Sequence, residues 1–198
     1  MLNFALHELA RHPEVYENLV TEIDSVLGPA DGIMKFPTAK QMEEEMPYME
    51  MVLNEVLRIY PPAGGTSRTV PETFEYKGFI FPKGMNVAPS IFLMHRNPEF
   101  WPEPEKFDPE RFTKANSEGR PLYAFFPFSA GSRICIGKKF FNLEAKSVLA
   151  TLLRVVKIEA DPLKTSGEMS SISGLLKPKS VWIKISPREG ANGHAKKE

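Results

Sequence analysis

Phe128-Ser129-Ala130-Gly131-Ser132-Arg133-Ile134-Cys135-Ile136-Gly137 holds the only cysteine of the 198-residue chain, two residues after an arginine and between two glycines. A long helical pattern starts directly behind it, with Phe140, Leu143, Val148, Leu149, Leu152 and Leu153 on or near one face of residues 136–156. A thiolate just ahead of a helix meets unpaired N–H groups and the positive end of the dipole, a setting that suits metal ligation. Gly131 and Gly137 permit backbone conformations or close approaches that a Cβ would block. Phe128 can lie flat against a planar ligand, and Arg133 can neutralise a carboxylate in bidentate geometry. A lone cysteine is by itself more often a buried small hydrophobe. The residues at fixed spacing around this one favour the ligand.

Working outward, the residues ahead of the loop are irregular. Eleven of the 18 prolines lie between Pro61 and Pro127. Residues 97–127 are too apolar for a linker and read as an ordered loop packed on a core. Further upstream, Thr66–Val70, Thr73–Tyr76 and Phe79–Phe81 are short β-rich runs, with Lys77-Gly78 as a hairpin turn between the last two. Met85–Val87 extends the same sheet, and Ser90–Arg96 forms a helical turn. Four helices precede this region. One spans residues 2–11, with no cap before it. A second starts at Pro13 and stops at Gly28-Pro29. A third, short and polar, starts at Thr38, and a fourth starts at Pro47 and ends at Pro61-Pro62. Downstream of the long helix, Val181–Ile185 alternates as a late strand.

Within the fourth helix Glu55 and Arg58 stand at i and i+3, on one face. If exposed, such a pair contributes only about 0.3–0.5 kcal/mol. If it is buried and shared with Arg111, removing one partner costs roughly 3–5 kcal/mol. The four histidines show no metal-ligand spacing, and His12 and His95 read as capping or surface groups.

The pattern Phe-x-x-Gly-x-Arg-x-Cys-x-Gly, filled by Phe128, Gly131, Arg133, Cys135 and Gly137, resembles the haem-binding signature of the cytochrome P450 superfamily. Glu55-Val56-Leu57-Arg58 resembles that family's Glu-x-x-Arg helix, and Pro109-Glu110-Arg111-Phe112 its Pro-x-Arg-Phe segment, in the family's order. The resemblance implies an α+β fold, mainly helical with small β-sheets. Residues 1–187 would form the C-terminal, haem-proximal portion of the domain, with 188–198 as a disordered tail. Cys135 becomes the axial ligand of haem b (iron protoporphyrin IX), and a thiolate in that place favours O–O cleavage. Phe128, Gly131, Arg133 and Gly137 shape the cofactor site, and Arg68 meets a haem propionate. Glu55, Arg58 and Arg111 form a buried structural triad. Ala63, Gly64, Gly65 and Thr66, with Leu175 in the late turn Ser173-Gly174-Leu175, line the substrate pocket. Lys138 and Lys139, with Lys146 two turns on, present a face to an NADPH-dependent reductase.

The implied activity is hydroxylation of an apolar small molecule, a sterol, fatty acid or xenobiotic, with dioxygen and reductase electrons. The implied location is the cytosolic face of the endoplasmic reticulum membrane, reached through an N-terminal region that this chain does not carry. The chain is expected to begin after the family's acid–alcohol pair and to be a C-terminal piece that does not hydroxylate unaided. Two other readings remain: a haem-thiolate isomerase or dehydratase acting on peroxides, and a noncatalytic product of the same gene.

Composition bounds these readings. With 42% hydrophobic residues the chain can bury a substantial core, and 25 basic side chains balance 25 acidic ones, so nothing points to nucleic acid. One cysteine excludes an intrachain disulfide framework and fits a reducing compartment. No apolar run approaches the roughly 18 residues of a membrane span.

Overall fold

The structure, a computed structural model, describes residues 1–31, 33–164, 167–172 and 174–188. Four helices make the core. α1 (Leu2–Arg11), α2 (Pro13–Leu27) and α4 (Pro47–Ile59) pack together with the long α7 (Lys138–Val155), and α3 (Ala39–Glu44) rests on α7. Phe4, Leu9, Leu19, Ile23, Met49, Val52, Leu53, Val56, Leu149 and Leu153 meet in this centre, each at most 1% exposed.

Local chemistry sets the helix starts. Pro13 and Pro47 occupy the first turns of α2 and α4, where a missing N–H costs nothing and φ is already helical. Thr38 opens α3 with a reciprocal box: its hydroxyl accepts the Gln41 N–H at 3.2 Å, and the Gln41 side chain accepts the Thr38 N–H at 2.9 Å. Gly28, at φ 78°, ends α2.

Among the described residues, four two-stranded antiparallel sheets surround the helices. β2 (Phe74–Tyr76) and β3 (Phe79–Phe81) form the expected hairpin. Its turn residues Lys77 and Gly78 both have positive φ, as a tight primed turn requires. β4 (Asn86–Val87) does not extend that hairpin. It reaches past it to β1 (Arg68–Thr69), pairing Arg68 with Val87 and Thr69 with Asn86. β5 (Val156–Ala160) pairs with β8 (Ile183–Pro187), and β6 (Met169–Ile172) with β7 (Leu175–Pro178).

Three sequence expectations need correction here. The long helix ends at Val155, and Val156–Ala160 becomes a strand because Ile158 alternates inward, 3% exposed, against the helical core. The buried stripe of α7 is Ala145, Lys146, Leu149, Ala150, Leu153 and Arg154, whereas Phe140 and Val148 face outward. Arg188, assigned to the tail, is held in place. Its guanidinium pairs with Asp24 at 2.5 Å, and its N–H donates to the Val155 carbonyl at 3.0 Å. Residues 189–198 and Ser173 lie outside the described residues.

The irregular stretch 97–127 is packed as expected of an ordered loop. Trp101 is fully buried, donates its indole N–H to the Ala124 carbonyl at 3.2 Å, and carries the Arg120 guanidinium 4.1 Å above its ring. The short helix α5 (Ile91–Met94) precedes it, capped by the Ser90 hydroxyl. Among the described residues no helix is long and apolar enough to cross a membrane.

Candidate functional site

Glu55, Arg58 and Arg111 come together under the loop that leads to Cys135. Glu55 and Arg58 are both fully buried on α4. The Arg58 guanidinium donates to both Glu55 oxygens, Nε at 2.7 Å and Nη2 at 2.8 Å, a bidentate pair. Its remaining N–H groups donate to the carbonyls of His95, Pro104 and Lys106, at 3.0, 2.7 and 3.2 Å. The same Glu55 carboxylate accepts the Asp108 N–H at 2.9 Å and lies 3.4 Å from Arg111 Nε. A single α4 side chain thus satisfies three backbone carbonyls of α5 and the irregular stretch, which fixes that stretch to the core.

The cysteine loop is built differently. Phe126–Ser129 is closed by the Ser129 N–H donating to the Phe126 carbonyl at 3.0 Å, and the Cys135 N–H donates to the Phe128 carbonyl at 2.8 Å. Ser129 and Gly131 both have positive φ. The Cys135 carbonyl then accepts the Lys138 N–H at 3.3 Å, so the thiol stands three residues ahead of the eighteen-residue α7. Cys135, Arg133 and Ile136 are exposed, and Ile136 fully so. Phe128 packs its ring 5.4 Å from that of Phe141.

Cys135 lines a cleft of about 350 Å3, together with Phe128, Arg133, Ala63, Gly65, Thr66 and Leu175. The loop segment, the stretch after α4 and the late turn meet there because Ala63 bridges Leu175 in antiparallel fashion and the Leu176 N–H donates to the Pro62 carbonyl at 2.8 Å. Arg68 stands at the margin: it donates to Thr66 and Ser67 at 2.8 Å and reaches Ser129 Oγ at 3.3 Å. Gly65 suits its place because an added Cβ would press the Pro89 carbonyl at 3.1 Å. Gly64, Gly131 and Gly137 do not line the cleft. An added Cβ at Gly137 would meet Cys135 Sγ at 3.7 Å, ordinary contact. A soft sulfur donor, an apolar wall and two arginines within one small region are the donor set that a flat apolar macrocycle with acidic side chains requires. These residues fit haem.

On the opposite side of the loop a larger groove of about 910 Å3 runs between the start of α4 and the start of α7, and Cys135 lines it too. Its charges are mixed. Lys138 is exposed, and Lys139 pairs with Glu43 at 3.0 Å. Lys146 does not belong to an exposed docking face. It is 5% exposed, donates to the Met42 carbonyl at 2.7 Å and pairs with Glu50 at 2.7 Å. Its helical register with Leu149, Ala150 and Leu153 was the available signal.

One of the two histidine expectations needs correction in part. His95 is the C-cap residue of α5 through its backbone, but it is no surface group: it is fully buried, and its Nε2 accepts the Phe126 N–H at 3.0 Å. Burial, with Arg58 and Arg96 nearby, pushes its pKa down from 6.5 to about 4. His12 caps as expected: it closes α1 and precedes α2, its ring 2.9 Å from the Glu8 carbonyl and 3.3 Å from the Glu8 carboxylate. Nothing local in the sequence marks His95 as buried.

A profile of the cytochrome P450 family matches residues 1–184. The chain is 38% identical over 193 residues to cytochrome P450 3A19 of Capra hircus aegagrus, covering 94% of this chain and 84% of that one. It is 37% identical over 196 residues to cytochrome P450 3A12 of Canis lupus familiaris, and 36% identical over 190 residues to cytochrome P450 4V2 of Homo sapiens. These alignments cover 96% and 94% of this chain, but only 37% and 35% of the dog and human proteins.

Proposed function

This chain belongs to the cytochrome P450 family, and on that premise we propose that residues 1–187 form the haem-proximal portion of a monooxygenase acting on an apolar small molecule. The observation that carries the reading is the shared cleft, in which the only cysteine faces Phe128, Arg133 and the Ala63–Thr66 segment. Cys135 would hold the iron of haem b, Phe128 would flank the macrocycle, and Arg68 and Arg133 would neutralise its propionates. Thiolate-ligated haem supplies the electron-rich iron on which the family's oxygen chemistry depends.

The chain's own residues supply position and charge. The hydrogen bond from the Cys135 N–H to the Phe128 carbonyl holds the thiol just ahead of α7. The triad of Glu55, Arg58 and Arg111 keeps the approach to that loop on the core. Ala63, Gly65, Thr66 and Leu175 would contact substrate, the first three being small enough to leave room beside the cofactor. The exposed Lys138, with Lys139, would steer an acidic NADPH-dependent reductase toward the thiol side of the site. The proposed setting is the endoplasmic reticulum membrane.

A cleft of about 350 Å3 lies at the low end of the roughly 300–1,000 Å3 that one drug-sized ligand occupies. The cleft is open to solvent rather than enclosed, so the chain by itself is expected to bind haem without turnover. The test is to load the 198-residue chain with haem and record the reduced, carbon-monoxide-bound spectrum. A red-shifted thiolate band that disappears in Cys135→Ser is expected, with no product on adding reductase and NADPH. An unchanged spectrum in Cys135→Ser would remove Cys135 as the ligand.

A further inference from the structure

We propose that His95 is a positioning residue for the cysteine loop, its neutral imidazole acting as the acceptor that holds Phe126, and with it the start of the loop, against α4 and α5. The geometry is a short relay. The His95 N–H donates to the Ile91 carbonyl at 2.9 Å and its carbonyl accepts Arg58 Nη1 at 3.0 Å, so its backbone is fixed to α5 and to the buried triad. Its ring lies 5.0 Å from Phe125, stacked, and 5.8 Å from Phe126, edge-on. Nε2 accepts the Phe126 N–H at 3.0 Å. The carbonyl of that same residue accepts the Ser129 N–H, and two residues on, the Phe128 carbonyl accepts the Cys135 N–H at 2.8 Å. Three peptide groups, 125–126, 126–127 and 128–129, lie between the imidazole and the Cys135 N–H.

Because Nε2 accepts, the ring proton sits on Nδ1. The Leu57 and Arg58 backbones near the ring favour a proton on it, although Nδ1 itself is buried with no hydrogen-bond partner. The charged groups facing the ring are Arg58 from α4, neutralised by Glu55, and Arg96 after α5, paired with Glu105 at 2.9 Å. The Phe125–Phe126 side offers aromatic carbon only. A second proton would turn Nε2 from acceptor to donor, leaving it facing the Phe126 N–H with both arginines close by. The ring charge and the anchor are therefore mutually exclusive.

The anchoring itself stands on the protein's own contacts; its consequence for an iron ligand rests on the haem reading above. The test is residue-resolved amide hydrogen exchange on the 198-residue chain, without haem, from pH 7 to below 4, in the wild type, His95→Gln and His95→Leu. Gln retains a neutral acceptor and Leu has none. We expect the protection factor of Phe126 to drop at least tenfold as the pH falls through about 4, while Val56 inside α4 stays protected. His95→Gln should keep Phe126 protected throughout, and His95→Leu should lose it at every pH. Should His95→Leu not fold, the wild-type and Gln profiles decide. Loss of Phe126 and Val56 together, the same acid response in His95→Gln, or full protection in His95→Leu would each overturn the inference. Haem titration of the same samples is a separate readout: absence of a thiolate spectrum would defeat the haem reading and leave the exchange result intact.

Discussion

Arg58 and Arg133 stand on either side of the irregular stretch and could hardly be more differently housed. Arg58 is fully buried and donates five hydrogen bonds, two to Glu55 and three to backbone carbonyls. Arg133 is exposed and makes no hydrogen bond or ion pair among the described residues. The same contrast separates Glu55 from Cys135, one sealed in the core and the other open to solvent. Folding information is concentrated where every donor and acceptor is matched, because an unmatched buried charge is costly. The loop offers its groups unmatched, which is what binding a ligand requires.

Breaking the buried side should have the largest effect. Glu55→Ala leaves Arg58 charged and unpaired, and should destabilise the chain by roughly 3–5 kcal/mol, out of the 5–15 kcal/mol of an ordinary domain. Urea unfolding would show the midpoint lowered by roughly 1.5–2.5 M, at a slope of about 2 kcal/mol per M. Cys135→Ser, at an exposed site, should stay within about 0.5 kcal/mol of wild type in the same assay. Equal losses from the two would erase the distinction between the regions.

Acid comes next. The unfolded imidazole of His95 binds a proton below about 6.5, while the folded one stays neutral to about 4. Stability is therefore full above pH 6.5, falls through the window from 6.5 to 4 by on the order of 3 kcal/mol, and levels off below it. Burial also lowers the pKa of His7, which acts in the same direction. Urea midpoints across this window should fall less steeply in His95→Gln; parallel profiles would assign the acid sensitivity elsewhere.

Two smaller changes sharpen the comparison on α7 and in the loop. Lys146→Met removes the buried donor to Met42 and should cost about 1–3 kcal/mol, whereas Lys139→Met, whose pair with Glu43 is exposed, should change stability by less than about 1 kcal/mol. Gly131→Ala forces a side chain into φ 67° and should cost about 1–2 kcal/mol, with open space around the new Cβ. Gly137→Ala, at φ −79°, carries no such strain. Thermal melts of the four variants would order them, and a cost at Gly137 matching that at Gly131 would place the loop's constraint in packing rather than in backbone conformation.

Much of this was legible in one dimension wherever the deciding partner lies within about four residues. Pro13, Pro47 and the Thr38–Gln41 box set helix starts, Gly28 sets a stop, and Lys77-Gly78 sets a hairpin. The spacing of Phe128, Gly131, Arg133, Cys135 and Gly137 singled out one short loop, of which Phe128, Arg133 and Cys135 line the cleft. Only the tertiary structure decided what depends on distant chain. Asn86–Val87 found β1 rather than the neighbouring hairpin, and Lys146 was drawn inward to carbonyls about a hundred residues away. His95 became a buried acceptor for an N–H 31 residues further along. A charge or a ring nitrogen carries no mark of its own burial. Whether it meets solvent or a matching partner is settled by which surfaces the helices bring together.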